Sequence, residues 1–387
     1  MKHLDVAAFS LDGFDFFVKK EDDFKLLNDK TFKKAYENLY ESYKTAANLN
    51  EINLNKAEKS IHKIECKRLL KLVLSGNKAR KLAFFSKNNF KPKTRFISYG
   101  SAQSNALAAL AVMTYVKGFE LVYACEKIPE FLKKNPNANF ALALRFKAKI
   151  IEKLDFNLNL KEFALSLSKK DDIFINQGVA DFKAKFGYKE LANEILRLEK
   201  ALSLNKKDFK GLNLRALKRA LKSTINRKLN SIKNLEFKKI LKDKKKLKDL
   251  KSTFKFDIFL SSGTGTSALF LAKNLPNHQI YTTYCVGDKK YLKKQILELE
   301  PNFNFENLHI LSTKEKFHFA KPKKALLEIY QRALKAGLEF DLLYDSIGLL
   351  CVLEHRKSFK KPLLFIHQGG LLGNLSQLQR YEYKKFL

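Results

Sequence analysis

A small-residue turn near residue 76 presents a lysine at the start of a predicted helix. Residues 75–82 read SGNKARKL, and Gly76 allows the backbone to turn tightly before the helix begins. Lys78 then lies in the first helical turn, where positive charge from Arg80, Lys81 and the helix N-terminus is expected to lower the pKa of its amine. A Schiff base requires an amine that loses its proton readily. On spacing alone, a solvated surface lysine remains the alternative.

The second candidate segment is a polar loop between a predicted strand and an alanine-rich helix. Residues 98–105 read SYGSAQSN, and α/β sheets bind ligands in the loops at the carboxyl ends of parallel strands. Asn105 is a candidate donor to a hydroxyl group on a cofactor ring, and Ser104 is a candidate substrate contact. The simpler interpretation of this pair is an ordinary helix N-cap.

A loop rich in glycine and threonine is the strongest candidate by position. Residues 261–267 read SSGTGTS, directly after an apolar strand and before an apolar helix. Free backbone N–H groups, hydroxyls and the positive end of a helix dipole together suit a phosphate group. The loop matches neither GxGxxG nor a Walker loop, and a tight structural turn remains the alternative. The candidate phosphate-binding residues are Gly263, Thr264, Gly265, Thr266 and Ser267.

Two further segments lie near the end of the chain. Residues 340–346 read FDLLYDS and residues 366–374 read IHQGGLLGN. A carboxylate such as that of Asp345 is able to pair with a protonated ring nitrogen of a cofactor, and Tyr344 is able to act in proton transfer. Considered singly, His367 is expected to be a hydrogen-bonded residue at a strand end, and the glycines after it a turn.

The elements that must position these segments alternate between strands and helices. Such alternation is typical of an α/β fold with parallel sheets. A strand or hairpin is predicted over 6–24, and an amphipathic helical segment over 28–72. Further strands are predicted at 95–99, 120–125, 150–152, 256–260, 279–285 and 363–367. Further helices are predicted at 105–117, 137–147, 187–198, 267–274, 289–299, 322–336 and 346–354.

The positive charge of the chain is extreme, and one segment is especially rich in it. The 387 residues carry a formal net charge of +35, and residues 201–251 hold fifteen Lys and three Arg against four acids. The apolar spacing in this segment predicts a basic amphipathic insertion. Such charge favours contact with nucleic acid or another anionic surface. The alternative is that lysine is simply the common surface residue of this protein and that the charge has no binding role. This alternative is favoured because lysine is spread along the whole chain.

The composition also bears on compartment and on metal chemistry. Charged residues run through the first thirty positions, so no signal peptide or membrane span is predicted there, and a cytoplasmic location is expected. The cysteines lie far apart without a CxxC pair, so neither a disulfide framework nor a zinc site is predicted. They are Cys66, Cys125, Cys285 and Cys351.

Taken in this order, the segments resemble the 1-aminocyclopropane-1-carboxylate (ACC) deaminase and D-cysteine desulfhydrase family. These are pyridoxal 5'-phosphate (PLP) enzymes with a tryptophan synthase β-like fold. The family's GNKxRKL motif matches residues 76–82, and its QSN loop matches residues 103–105. Its GTGGT-type phosphate loop, DxxY segment and HTGG or HLGG segment match residues 263–267, 341–344 and 367–370. The resemblance covers about residues 8–24, 73–199 and 255–380.

The resemblance implies a cofactor and a role for each candidate residue. Lys78 would hold PLP as a Schiff base, Asn105 would contact the hydroxyl of the pyridine ring, and Ser104 would face the substrate. The loop 263–267 would bind the cofactor phosphate, with Thr and Ser at its last two positions where Gly and Thr are usual. Tyr344, together with Ser104 and Lys78, would carry protons.

One matching position favours deaminase chemistry, and three others depart from the family pattern. Asp345 stands where the deaminases carry a Glu against the pyridine nitrogen, whereas the desulfhydrases carry Thr or Ser there. Gln368 belongs to neither the HTGG nor the HLGG pattern. The family's GGS loop appears as GVA over 178–180, and the tyrosine of its GGYA-like segment appears as Phe319. These departures leave the substrate open.

The resemblance also implies the domain arrangement. A large PLP-binding domain is expected over 1–84 and 195–387, and a small α/β domain over 85–194. Two helical, lysine-rich insertions are expected near 28–72 and 200–252.

On this basis the protein is predicted to be a PLP-dependent deaminase or lyase. Hydrolase and D-cysteine desulfhydrase-like activities belong to the same prediction. It would act on a small amino acid and release ammonia and an α-keto acid. Two alternatives remain: a PLP-dependent β-replacement lyase, and a degenerate PLP-fold protein that binds nucleic acid through residues 201–251. The predicted partners are therefore a small amino-acid substrate, a second copy in a homodimer, and nucleic acid in weak contact; no membrane partner is expected.

Overall fold

The computed structural model describes residues 6–19, 29–46, 56–154, 157–203 and 254–387. The chain divides into two compact units. Unit 1 comprises Met1–Asp23 and Tyr188–Gln368, and unit 2 comprises Phe24–Gly187 and Gly369–Leu387. The domain limits expected from the sequence, near 85 and 194, stay a prediction.

Ten strands and thirteen α-helices are present in the described ranges. The strands are β1 (Val6–Leu11), β2 (Phe14–Lys19), β3 (Arg95–Tyr99), β4 (Glu120–Cys125), β5 (Lys149–Glu152), β6 (Ile173–Phe174), β7 (Asp257–Ser262), β8 (Ile280–Tyr284), β9 (Leu308–Leu311) and β10 (Leu363–Ile366). The helices are α1 (Asp29–Ala46), α2 (Lys56–Val73), α3 (Gly76–Lys87), α4 (Asn105–Lys117), α5 (Glu130–Lys134), α6 (Ala138–Arg145), α7 (Leu160–Ser166), α8 (Lys185–Ser203), α9 (Thr266–Asn274), α10 (Lys289–Leu299), α11 (Lys324–Lys335), α12 (Asp345–Glu354) and α13 (Gly373–Tyr383).

Unit 1 is built on a six-stranded sheet in the order β1-β2-β10-β7-β8-β9. Only the β1–β2 hairpin at one edge is antiparallel, and the other pairs are parallel. The central strand β7 is buried along its whole length, as expected for a strand covered on both faces. Aromatic side chains fill one face of this core, including Phe16, Phe259, Phe340 and Phe365. The sheet places the loop after β7 in the middle of the unit.

Unit 2 is built on a four-stranded parallel sheet in the order β5-β4-β3-β6. Helix α4 follows β3, and its alanine-rich sequence is buried on almost every face. Helices α1 and α2 pack against α4, and Leu39 and Leu70 join its hydrophobic cluster. The described parts of the predicted insertion, 29–46 and 56–72, are therefore helical and contribute to the core of unit 2.

The predicted α/β class with parallel sheets is confirmed, and most predicted elements agree with the structure within three residues. The prediction missed β6, β9, α5, α7 and α13. The predicted insertion over 200–252 lies outside the described residues apart from the end of α8 at Ser203. None of the helices in the described part of the chain is long and apolar enough to cross a membrane.

Candidate functional site

In unit 1, the predicted phosphate loop connects β7 to α9. Gly265 is the N-cap of α9 and has a left-handed backbone, with φ of 72°. A Cβ atom at this position would lie 2.5 Å from Ile296 Cγ1, so both the conformation and the packing require glycine. The hydroxyls of Thr264 and Thr266 lie 2.9 Å apart. The loop therefore ends at a helix N-terminus, where backbone N–H groups are able to bind an anion.

Ser267, at the end of this loop, is held by a tyrosine that is not among the predicted site residues. The hydroxyl of Tyr188 donates to Ser267 Oγ at 2.6 Å, and both side chains are buried. Tyr188 lies on α8, far from the loop in sequence, so no local pattern connects the two residues. This hydrogen bond fixes the Ser267 side chain in the first turn of α9.

Tyr344 lies beside the same loop. A Cβ atom on Gly263 would lie 3.2 Å from Tyr344 Cε1 and 3.7 Å from its hydroxyl oxygen. The ring of Phe319 lies on Tyr344 with a centroid distance of 5.5 Å, and Phe319 is half exposed. The structure therefore brings the predicted proton carrier Tyr344 together with the predicted phosphate loop, with a phenylalanine where the resemblance expects a second tyrosine.

Asp345 is fully buried and accepts hydrogen bonds from three directions. His367 Nδ1 lies 2.6 Å from Asp345 Oδ2, and the backbone N–H of Gln368 donates to the same oxygen at 3.1 Å. The hydroxyl of Ser261 donates to Asp345 Oδ1 at 3.3 Å. A carboxylate offers about four acceptor positions, so three donors orient it and leave room for about one more. No local sequence pattern connects Asp345 with His367, which the structure brings together.

A second buried carboxylate lies next to Asp345. Asp341 Oδ1 accepts from the backbone N–H groups of Leu343 at 2.9 Å and Tyr344 at 2.7 Å, and its Oδ2 accepts from the N–H of Asp345 at 3.1 Å. Asp341 thus stabilises the turn that leads into α12. Burial, followed by the nearby charge of Asp345, raises the pKa of Asp341 to about 7.

In unit 2, Lys78 occupies the third position of α3, as predicted. Gly76 has a left-handed backbone at φ 67°, and the half-buried Lys78 donates from Nζ to Asn77 Oδ1 at 2.9 Å. Gly369 passes close to this turn, since a Cβ on it would lie 2.9 Å from Gly76 Cα. The predicted turn and helix start are confirmed; the Schiff-base role of Lys78 stays a prediction.

Lys81, one helical turn after Lys78, is buried and engaged elsewhere. Its Nζ donates to the backbone oxygen of Gly178 at 3.0 Å. Burial, and then the charge of Lys78, lower the pKa of Lys81 well below its ordinary value. Lys81 therefore has a reduced tendency to carry charge, and its amine supports the loop at Gly178.

That loop, GVA over 178–180, carries an unusual backbone. Val179 has φ of 56° and is completely buried. A β-branched residue rarely adopts this left-handed conformation, because its side chain crowds the backbone. The departure from the family's GGS loop thus coincides with local strain, which typically costs about 1–3 kcal/mol.

Ser104 and Asn105 stand at the start of α4. Ser104 Oγ accepts from the backbone N–H of Ala106 at 3.1 Å, so the predicted N-cap is confirmed. Asn105 Oδ1 accepts from Asn139 Nδ2 at 2.7 Å. A Cβ on Gly370 would lie 2.6 Å from Asn105 Nδ2. Because Gly369 approaches the Lys78 turn and Gly370 approaches Asn105, one short segment in unit 2 connects two of the predicted cofactor contacts.

The four cysteines are free and buried. Burial raises the pKa of Cys66 to about 11 and the pKa of Cys125 and Cys351 to about 12. Burial also raises the pKa of Cys285 well above its ordinary value. These thiols are therefore protonated at neutral pH, which agrees with the structural role expected for them.

No protein-family model and no curated protein matches this sequence. In structure, the chain is similar to an ACC deaminase homologue with a TM-score of 0.59 and 14% identity, covering 100% of this chain and 94% of that chain. It is also similar to a threonine deaminase from T.th., with a TM-score of 0.47 and 14% identity over 76% of this chain and 83% of that chain. A hydrogen sulfide-producing enzyme from Fusobacterium nucleatum has a TM-score of 0.49 and 11% identity over 95% of this chain and 93% of that chain. The first of these likenesses shows the fold, and it confirms the predicted tryptophan synthase β-like α/β class.

Proposed function

We propose that the chain is a PLP-dependent enzyme that acts on a small amino acid and releases ammonia and an α-keto acid. The observation that carries the proposal is the loop between β7 and α9, whose glycines, hydroxyls and helix N-terminus suit a phosphate group. The similarity in fold to an ACC deaminase homologue, with a TM-score of 0.59, supports the same class of reaction. PLP, when bound, supplies an electron sink for the charge that develops at the substrate Cα.

The phosphate would be bound by residues 263–267. The backbone N–H groups at the start of α9 carry the positive end of the helix dipole. Ser267 accepts a hydrogen bond from Tyr188 at 2.6 Å, so its own hydroxyl hydrogen is available to donate. Thr266 is completely buried, and its bond with the Thr264 hydroxyl limits how its side chain can move. Thr266, which stands where Gly is usual, thus adds a hydroxyl to the loop and restricts the movement of the side chains in it.

Lys78 would attach the cofactor covalently through Nζ. Lys78 is half-buried at the start of α3, and its Nζ donates to the side chain of the preceding residue, Asn77. We assign the role to Lys78 rather than to Lys81, because the Lys81 amine is buried and donates to the backbone oxygen of Gly178. Asn105 would contact the oxygen on the pyridine ring.

Asp345 would provide the negative charge for the pyridine nitrogen. Three donors orient its carboxylate, and the imidazole of His367 is one of them. A carboxylate in a buried position forms a charge-assisted hydrogen bond with a protonated ring nitrogen, and a neutral hydroxyl does this less well. This residue favours a deaminase reaction over a desulfhydrase reaction.

Protons would be moved by Lys78, Tyr344 and Ser104. Tyr344 lies beside Gly263, so a group attached near the phosphate loop would be within its reach. Ser104 uses Oγ as an acceptor from the Ala106 N–H, which orients its hydroxyl at the start of α4. The departures at Val179, Phe319 and Gln368 bear on which amino acid is accepted.

The test uses the full chain incubated with PLP. We expect a visible absorption band from lysine-bound PLP, a borohydride-reducible adduct that maps to Lys78, and α-keto acid release from at least one small amino acid. Lys87→Ala is the matched control, because Lys87 lies at the other end of the same helix α3. Protein that binds no PLP, or a cofactor adduct on another lysine, would contradict the proposal.

The nucleic-acid alternative depends on residues 201–251, which lie outside the described residues apart from the last residues of α8.

A further inference from the structure

Four amide side chains form a hydrogen-bonded cluster in unit 2, where α4 and α6 begin. Gln103 Nε2 donates to Asn137 Oδ1 at 2.7 Å. Asn139 Nδ2 donates to Asn105 Oδ1 at 2.7 Å and to the backbone oxygen of Gln103 at 3.0 Å. Asn139 is 1% exposed. Of these four residues, the cofactor prediction included only Asn105.

The chemistry of the cluster fixes which way each amide faces. The backbone oxygen of Gln103 can only accept, so the atom of Asn139 that lies 3.0 Å from it must be the NH₂ group. The same NH₂ group lies 2.7 Å from Asn105, so the Asn105 atom facing it must be the acceptor Oδ1. The donors and acceptors around it therefore determine the orientation of the Asn105 amide. Its NH₂ group faces away from Asn139.

The local structure supports a dedicated role for Asn139. The residue before it, Ala138, has a left-handed backbone at φ 45°, a conformation that alanine adopts only at an energetic cost. Among the described residues, Asn139 Oδ1 has no hydrogen-bond partner although it is buried. The side chain therefore leaves its acceptor unused and makes two donor bonds, one of them to Asn105.

We infer that Asn139 is a positioning residue that makes Asn105 present its NH₂ group, rather than its carbonyl, to a ligand. Gly370 leaves space at that group, because any Cβ there would lie 2.6 Å from Asn105 Nδ2. The inference rests on the proposed function, since the ligand atom is the oxygen of the PLP ring. An NH₂ group stabilises the anionic form of that oxygen, whereas a carbonyl would repel it.

The experiment measures the pH midpoint at which the absorption band of lysine-bound PLP changes. A hydrogen-bond donor stabilises the anionic ring oxygen, and the oxygen then attracts the proton of the neighbouring imine less strongly. Without the donor the imine keeps its proton to higher pH, so the midpoint rises. Asn139→Leu releases Asn105, and Asn139→Asp offers an acceptor that turns the Asn105 amide around. We expect either variant to raise the midpoint by about one pH unit. We also expect the PLP dissociation constant to increase about tenfold, which equals about 1.4 kcal/mol.

Two further variants separate positioning from a general loss of structure. Asn137→Ala removes an amide that also bonds Gln103 but does not touch Asn105, so its midpoint should stay within about 0.2 pH unit of the parent. Asn105→Ala should reproduce the shift and add little to it when combined with Asn139→Leu, as expected for residues that act through one contact. Asn139→Asp is nearly isosteric and serves if the leucine variant does not fold.

The possible failures can be told apart. If Asn105→Ala moves the midpoint and neither Asn139 variant does, the positioning role is wrong and the proposed function stands. If Asn137→Ala moves the midpoint as far as Asn139→Leu, the effect belongs to the loop as a whole and the inference is again wrong. Wild-type protein that takes up no PLP overturns both the proposed function and this inference.

Discussion

The two units prepare their predicted ligand contacts with different chemistry. In unit 1, buried ionisable groups lie together, with Asp345 bound by His367 at 2.6 Å and Asp341 next to both. In unit 2, neutral amides are arranged in a cluster in which Asn139 orients Asn105 at 2.7 Å. A charged group forms a stronger hydrogen bond in a buried site, but its charge depends on pH. A neutral amide forms weaker hydrogen bonds of fixed direction, and these do not depend on pH. Substitutions in the two units should therefore have different signatures.

The largest expected effect tests Lys78 in unit 2, the residue proposed to attach the cofactor. Lys78→Ala should abolish covalent PLP attachment and reduce keto-acid release to background, because no other amine in α3 is placed to replace it: Lys81 is buried against Gly178. Borohydride reduction followed by peptide mapping measures the attachment. Lys87→Ala, at the end of the same helix, should behave like the parent. A reducible adduct at native stoichiometry in the Lys78→Ala protein would show that another lysine is used.

The next effect tests the charged side of the comparison. Asp345→Ser should lower kcat/KM by about thirtyfold to a thousandfold, since a buried charge-assisted partner is worth about 2–4 kcal/mol in the transition state. Deamination should suffer more than simple β-elimination, in which a good leaving group lessens the demand on the electron sink. Keto-acid release on each accepted substrate is the measurement.

Asp345→Asn is the matched variant, because it keeps the size and removes the charge. It should be nearly as slow as Asp345→Ser if charge is what matters. A rate within about twofold of the parent for both variants would mean that Asp345 does not face the pyridine nitrogen.

A smaller effect tests the packing of the phosphate loop. Gly265→Ala combines a left-handed backbone, φ 72°, with a Cβ only 2.5 Å from Ile296 Cγ1. We expect a loss of about 2–4 kcal/mol in the free energy of unfolding and weaker PLP binding, because the loop must move. Gly337→Ala is the control, since Gly337 has φ 83° with no atom within 4 Å of the added Cβ. It should lose only about 1 kcal/mol from backbone strain. Equal losses in the two variants would show that the contact with Ile296 relaxes freely.

Local patterns predicted much of the fold. The limits of β3, α4, β4 and α10 agree with the structure at both ends, because each has clear periodicity and a capping or turn residue at its boundary. Helix α4, for example, starts after the Ser104 cap and ends at Gly118, which has a left-handed backbone. Strand β6 has only two residues, too few for any alternation to appear. Helix α13 was missed because its first residue is Gly373 and two more glycines precede it.

The candidate site was predictable only where its residues are close in sequence. The loop 263–267 and the turn at Lys78 each carry their own signal, in a glycine beside polar or charged side chains. The contacts of Ser267 with Tyr188 and of Asn105 with Asn139 join residues 79 and 34 positions apart. Tyrosine and asparagine at those places have ordinary roles in a helix, so only the folded structure identifies them. The Asp345–His367 pair was missed for the same reason, although both residues had been selected.

The smallest expected effect tests whether the charged cluster of unit 1 makes stability depend on pH. Burial and the charge of Asp345 raise the pKa of Asp341 to about 7, whereas in the unfolded chain an aspartate titrates near about 4. Between these values the folded state holds a proton that the unfolded state has lost. The free energy of unfolding contributed by this group therefore falls as the pH increases from about 4 to about 7, with a slope of up to about 1.4 kcal/mol per pH unit.

Asp341→Asn removes this ionisation and should flatten that part of the stability curve relative to the parent, while its Oδ1 can still accept from the backbone at the start of α12. Urea unfolding at several pH values between about 5 and 7 measures the difference in slope.

Asn139→Asp introduces a carboxylate among the amides of unit 2 and should make the free energy of unfolding more dependent on pH. A buried acid with a raised pKa gives a new fall in stability as the pH increases. If the slopes of parent and Asp341→Asn are the same, Asp341 is already ionised throughout this range. The charged cluster would then be held by its hydrogen bonds alone, and the contrast between the two units would be one of geometry rather than of charge.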